Sequence, residues 1–386
     1  MLLTVAIIAR DEESRIGASI ASARSLADHL VVVDSGSTDN TVAIAQAAGA
    51  QVVHHQWDDD FAAARNAAIP YLKGRWTLWL DADEFVDASS VADFRHVLSR
   101  NDASGFGIIR RDHVNGFKPG EPPGPHVSTM IYRVLRNDLG FRFTGRCHEQ
   151  PAPFPDVLER ETGLKVFASP LILDHDCRYY YEGRFQKALR NGRLLDIEVR
   201  ERPGRLYWMI QCGATLLDVP GMVQRGKEVM ADSLKLIAAL REQPGAPFSL
   251  VELALEYAAH FSPAENLPLT PQEAYDLAQK WFPNAVPVIW MRAKRAYDAG
   301  DFENAIPILR RLIDIGERRA YDLEVPFDQA VIGDDARLNL GVCLLRLAQL
   351  DDAEREFRKI NPTGPRAEEA GMNLGVIESL RRQFAQ

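Results

Sequence analysis

Three acids arrive within four residues at the end of a strongly apolar run, Trp79-Leu80-Asp81-Ala82-Asp83-Glu84. Crowded carboxylates repel one another unless a cation or a hydrogen-bonded ligand offsets their charge. Hard divalent cations such as Mg²⁺ and Mn²⁺ prefer oxygen donors of this kind, and Mg²⁺ commonly shares its shell with phosphates. The cluster therefore suits a metal-held diphosphate; the plainer role, capping a following helix, accounts for one acid of the three. A second cluster, Asp34-Ser35-Gly36-Ser37-Thr38-Asp39-Asn40-Thr41, follows the run Leu30 to Val33. Asp34 is placed to accept a hydrogen bond from a base N–H or a ribose hydroxyl, while Thr38, Asp39 or Asn40 would cap the next helix. In a third, Trp57 to Asn66, Arg65 would meet a phosphate or pair with one of the acids at Asp58 to Asp60.

These clusters need a scaffold that brings them to one edge. Leu2 to Ala9, Leu30 to Val33, Gln51 to His55 and Trp76 to Leu80 read as buried strands. Between them Ser14 to Ala27, Thr41 to Ala48 and Phe61 to Leu72 carry apolar residues at helical spacing, with Ser14 as a plausible cap. Strict alternation predicts a mostly parallel sheet covered on both faces, an α/β Rossmann-like arrangement whose ligands bind beyond the carboxyl ends of the strands. From about Gly105 the alternation fades. Gly116 to Pro125 reads as a mobile loop, Val127 to Val134 as a strand and Pro151 to Pro155 as irregular chain.

Beyond Tyr179 the chain reads as helical. Leu340-Gly341, Leu344, Ala353, Phe357 and Pro362 fit a tetratricopeptide pattern, and Leu374-Gly375 recurs about 34 residues later. Trp290, Ala293, Tyr297, Gly300 and Ala305 give a looser match, with Leu206 to Leu217 and Leu250 to Ala259 as degenerate helices of the same array. The expected division is an α/β domain over 1–200 and an all-α, TPR-like repeat domain over 201–386; an unrelated helical bundle is the alternative for the second.

The succession Ala9-Arg10-Asp11-Glu12-Glu13, Val33 to Asp39, Asp60 to Asn66 and Leu80 to Glu84 resembles the family 2 glycosyltransferases of GT-A fold. With the repeats, the chain is similar to the bacterial branch that includes the sublancin-type peptide S-glycosyltransferases. Asp11 departs from the Asn that many relatives carry. The resemblance implies that Asp34 contacts the base, Asp39 supports the nucleotide loop, Arg65 faces the diphosphate side, Asp81 approaches the ribose and Asp83 binds a Mn²⁺ or Mg²⁺ ion. Ala9, Asp11, Glu13 and Ala82 fall in the same motifs and are expected along the nucleotide-sugar. Gly145 to Gln150 resembles the "HE" segment of this branch, which makes Glu149 the candidate base and gives His148 a role in orienting it or helping the metal. His175, within Leu173-Asp174-His175-Asp176, would complete the metal shell or touch a phosphate, and Arg190-Asn191 also matches family positions.

The implied activity is an inverting transfer from a nucleotide-sugar, a UDP-sugar foremost, to a peptide or protein acceptor. Rival readings are a carbohydrate or lipid-linked acceptor of lipopolysaccharide or capsule assembly, and a repeat scaffold without catalysis. A net charge of −9 argues against a general nucleic-acid binder. Apolar runs are too short to cross a bilayer, and the acidic start at Asp11 is unlike a signal peptide. Four dispersed cysteines without a CxxC pair predict a reduced, cytoplasmic protein. Repeats also leave room for a homodimer or a protein partner.

Overall fold

The computed structural model describes residues 3–113, 116–120, 126–153, 155–177, 183–243, 254, 268–318, 327 and 329–384. The chain divides into two compact units, Met1–Val251 and Glu252–Gln386.

The first unit is built on an eight-stranded mixed sheet. In chain order its elements begin with β1 (Leu3–Ala9), α1 (Ile16–Ala23), β2 (His29–Asp34), α2 (Thr41–Ala47), β3 (Gln51–His54), α3 (Phe61–Ala67), β4 (Trp76–Asp81), β5 (Glu84–Val86) and α4 (Val91–Val97). They continue with β6 (Ala103–His113), β7 (Val127–Arg136), β8 (Arg142–Thr144), β9 (Gln150–Ala152), α5 (Pro155–Thr162) and β10 (Lys165–Asp176). The sheet order is β3-β2-β1-β4-β7-β6-β10-β5, and β8 with β9 forms a separate pair. β1, β2, β3 and β4 run parallel, as does β10 with β6; β7 and β5 run against their neighbours. The chain leaves β1 on one side for β2 and β3, then returns on the other for β4, so a crevice opens at the carboxyl ends of β1, β2 and β4.

Alternate side chains on each strand feed two cores. Trp76, Leu78 and Leu80 pack with Val5, Ile7, Leu30 and Val32 on one face, whereas Trp79 joins Ala6, Val31 and Val33 on the other. Full burial of side chains of this size stabilises by roughly 1.5–3 kcal/mol each. Trp76 also donates its indole N–H to the Leu98 carbonyl at 2.8 Å, so its one polar atom is satisfied.

Some boundaries differ from the sequence pattern. Helix α1 begins at Ile16 without a side-chain cap, because the Glu12 carbonyl, not Ser14, accepts the first amides. Helix α3 ends at Ala67 and gives way to a 3-10 turn at Ile69–Tyr71, where Pro70 supplies no backbone donor. Pro151 and Ala152, at the head of the stretch to Pro155 expected to be irregular, lie in strand β9, and the stretch Gly116 to Pro125 falls partly outside the described residues.

Three further helices, α6 (Arg184–Glu201), α7 (Leu206–Leu217) and α8 (Val223–Ala239), belong to the first unit. The compact boundary therefore lies about fifty residues beyond position 200, with Leu206–Leu217 outside the repeat unit. Trp208 explains the shift. Its indole donates to the Cys147 carbonyl at 3.2 Å and lies against Gly145, where a Cβ would fall 2.1 Å from the ring nitrogen. Glu198, fully buried, accepts from the Arg146 amide and pairs with Arg202 and Arg205. Helices that clasp the 145–150 loop belong to its unit.

The second unit contains α9 (Pro271–Trp281), α10 (Val286–Asp298), α11 (Phe302–Arg318), α12 (Asp334–Arg346), α13 (Leu350–Arg358) and α14 (Ala367–Phe384). Thr270 starts the set with a capping box to Glu273. The repeat signature has a packing cause. Gly341 of α12 receives the Phe357 ring of α13, and a Cβ there would lie 2.5 Å from it. Leu340, Leu344, Ala353 and Phe357 are all buried in one core, so the unit is a TPR-like helical array. The expected helix at Leu250 to Ala259 lies outside the described residues, Ala254 excepted. No described helix is long and apolar enough to cross a membrane.

Candidate active site

Parallel pairing sets Ala9 beside Asp34 and Ile8 beside Asp81, so the first two clusters meet at one sheet edge. The loops after β1 and β2 are laced together by acids. Asp11, held at φ 54°, accepts from the Thr38 amide at 2.7 Å and from its hydroxyl. Glu13 accepts from the Asn40 amide and side chain, while Asp39 accepts from the amides of Glu13 and Thr41. Asp34 is buried, which by itself would raise its pKa; hydrogen bonds from Ser37, His54 and Gly36 overcome this and hold it below the ordinary carboxylate range. Ala9 and Ala82 turn their methyl groups into the core, so only their backbone is available to a ligand.

The acids after β4 divide into separate tasks. Asp81 bonds Arg65 Nη2 at 2.7 Å and Arg133 Nη2 at 2.8 Å. Burial opposes its charge, but the two guanidiniums prevail and keep it ionised far below the usual range. Glu84 is wholly buried and accepts from the Asp81 amide at 3.0 Å; burial, then the neighbouring Asp81, pushes its pKa up. Asp83 points elsewhere, with its Oδ2 3.5 Å from His175 Nε2 and 4.0 Å from Arg15 Nη1.

β10 delivers His175 through the β5 pairing, which sets it opposite Glu84. Its Nδ1 lies 2.7 Å from Asp112 Oδ1. Burial would depress the imidazole, yet hydrogen bonds to Asp112 and Asp83 outweigh it and lift its pKa to about 12. A ring fixed from behind by a carboxylate, with its other nitrogen beside a second carboxylate, is an arrangement common to metal-binding histidines. The pair Asp83 Oδ2 and His175 Nε2 offers one oxygen and one nitrogen donor of the kind a Mn²⁺- or Mg²⁺-type cation would take. Cys177 Sγ approaches the Nδ1 side at 3.3 Å, and the donor atoms of Asp112, His175 and Cys177 lie within 4.8 Å of one another. Arg110, 2.9 Å from Asp112, opposes a cation on that side.

Arg65 does not pair with any of Asp58 to Asp60. It is 2% exposed, stacks between Trp79 and Phe143, and bridges Asp81 to Glu149, whose Oε1 lies 2.5 Å from Nε. The three acids before it are otherwise engaged: Asp58 by His55, Asp59 by Arg193 and Trp57, and Asp60 as the helix cap accepting from Ala63. Glu149 is thereby carried to the same crevice as Asp81. His148 is exposed at φ 52° and, among the described residues, makes no side-chain hydrogen bond to Glu149, Asp83 or His175. Arg190 lies over Phe61 at 5.2 Å and hydrogen-bonds Asn191.

Sequence reasoning missed Arg133, Arg110 and Asp112. A faint signal existed, since each is a charge embedded in a strand otherwise rich in apolar residues: Arg133 before Val134-Leu135, and Arg110 and Asp112 after Ile108-Ile109.

Residues 4–153 match the family model for glycosyl transferase family 2. Among curated proteins, a TPR repeat-containing protein of Synechococcus elongatus is 37% identical over 147 residues, covering 38% of this chain and 34% of its own length. The glycosyltransferase SunS of Bacillus subtilis is 24% identical over 219 residues, 55% of this chain and 49% of that one. The lipopolysaccharide core biosynthesis glycosyltransferase LpsC of Rhizobium meliloti is 28% identical over 179 residues, 45% and 65% respectively. The chain thus spans between a third and two thirds of the length of these relatives. The match to glycosyl transferase family 2 lies within the N-terminal unit and takes in Asp34, Arg65, Asp81, Asp83 and Glu149.

Proposed function

We propose that the chain is an inverting glycosyltransferase that moves a sugar from a nucleotide-sugar, foremost a UDP-sugar, to a peptide or protein acceptor, with a divalent cation held by Asp83 and His175. The observation that carries this reading is the 3.5 Å approach of Asp83 and His175 at the edge where Asp34 and Asp81 also end. Asp34 would accept from the base, and the loop laced by Asp11, Glu13 and Asp39 would keep the nucleotide's seat rigid. Asp81, fixed by Arg65 and Arg133, would present its free lone pairs to the ribose. A bound cation would supply positive charge to the departing diphosphate. Glu149 would take the proton from the acceptor hydroxyl or thiol as that atom bonds the anomeric carbon and the bond to the diphosphate breaks. His148, exposed beside Glu149, is assigned to the acceptor side.

The peptide acceptor rests on the likeness to SunS and on the helical array, since such arrays offer extended binding surfaces. The likeness to LpsC favours a second reading, a carbohydrate or lipid-linked acceptor. Donor hydrolysis across a nucleotide-sugar panel, with Mn²⁺ or EDTA, tests the core proposal. One UDP-sugar should be hydrolysed only with the cation; equal turnover in EDTA would overturn the metal role. Product mass after incubation with peptide or with core oligosaccharide decides the acceptor.

A further inference from the structure

The helical unit contains a groove of about 570 Å³ between α9, α10 and α11. Its charged lining is one-sided. Arg292 and Arg295 project from α10 and Arg311 from α11, and no acid is among the described residues that line it. Asn304, Pro307, Ile308 and Arg311 recur at helical spacing and form one stripe of α11, opposite the buried Ala305, Leu309 and Leu312.

The arginines here are treated differently from others in the unit. Arg337 pairs with Glu317 and Glu356, Arg366 with Asp335 and Glu369, and Arg381 with Asp351 and Glu354. In the groove the partners are neutral. Arg295 bonds the Gln272 amide oxygen at 2.5 Å and stacks on Tyr275 at 4.1 Å, while Arg311 bonds the Asn284 amide oxygen at 2.9 Å. Arg292 is half-buried and has no ion-pair partner among the described residues. Amides and a ring hold two guanidiniums in place without cancelling their charge, so their ordering is settled before a ligand arrives.

We infer that this groove binds an acidic peptide segment, with carboxylates on Arg292, Arg295 and Arg311 and apolar side chains on Ala296, Pro307 and Ile308. The mixed lining favours a peptide over nucleic acid, whose phosphates would also meet a chain of net charge −9. The groove's charge carries this inference whether or not the bound peptide is also the transferase's acceptor.

The test uses the full chain and a short fluorescein-labelled peptide of alternating glutamate and leucine, with a glutamine-for-glutamate counterpart and a single-stranded oligonucleotide. Fluorescence anisotropy should show the acidic peptide binding at least about tenfold more tightly than the glutamine peptide, with affinity falling as salt rises. Arg292→Gln with Arg311→Gln should weaken it by about tenfold or more, with circular dichroism and UDP-sugar hydrolysis unchanged. Arg311→Gln alone, on an exposed side chain, provides the same comparison should the double variant unfold. Equal binding of both peptides, undiminished binding by a folded variant, or stronger binding of the oligonucleotide would overturn the proposal.

Discussion

The two units handle charge in opposite ways. At the sheet edge Asp81, Arg65, Arg133, Glu84 and Glu149 crowd into a largely buried lattice, where Arg65 is 2% exposed and Glu84 fully buried. In the helical unit the ion pairs sit mostly on the surface, as Lys294 with Asp298 and Arg358 with Glu354 do. Exposed pairs contribute at most about 1 kcal/mol, whereas stranding one partner of a buried pair costs about 3–5 kcal/mol. Expensive charges are therefore concentrated where positions must be fixed, and the repeats are held by shape instead.

The sharpest way to break this contrast is Asp83→Ala. Loss of cation binding should cut UDP-sugar hydrolysis at least about a hundredfold, since a metal's share of charge stabilisation is several kcal/mol. Little change would remove the sheet edge from the chemistry. Arg65→Met should come next, leaving Glu149 without its guanidinium and Asp81 with Arg133 alone. Urea unfolding of the first unit should show a loss of about 3 kcal/mol, against less than about 1 kcal/mol for Lys294→Met in the repeats. Within the repeats, Gly341→Ala drives a methyl into Phe357 and should cost about 1–3 kcal/mol. Gly375→Ala, at the same repeat position with nothing within 4 Å, should be neutral or stabilise by up to about 1 kcal/mol through helix propensity.

The finest test concerns the proton on His175. Its folded pKa of about 12 exceeds the ordinary 6.5, so in the cation-free protein its contribution to stability is complete below about pH 6.5 and is lost as pH rises toward 12. Asp112→Asn removes the carboxylate that lies 2.7 Å from Nδ1 and should move the imidazole titration downward, narrowing that window; a histidine NMR titration reads this directly. An unmoved resonance would mean that Asp83 alone holds the proton.

Much of the front half was legible because strand identity is local. Val, Ile and Trp runs announced β1, β2 and β4, and sheet topology brought their terminal acids together as the alternation implied. What sequence left hidden depends on pairs distant along the chain. Nothing near Arg65 in sequence points to Glu149, because the contact is made by the fold of the loop that Trp208 and Glu198 clasp. The same clasp moved the unit boundary from 200 to Val251. The Leu-Gly spacing of the repeats, by contrast, reads directly as helix contact at Gly341.

One guanidinium grips both the strand tip that carries Asp81 and the loop that carries Glu149. It acts as a crossbar between two levers: a ligand that draws one carboxylate aside tugs the other through a single rigid plane. The seating of a ligand on Asp81 and the posture of Glu149 are thus yoked mechanically, and a substitution at either carboxylate is felt at both.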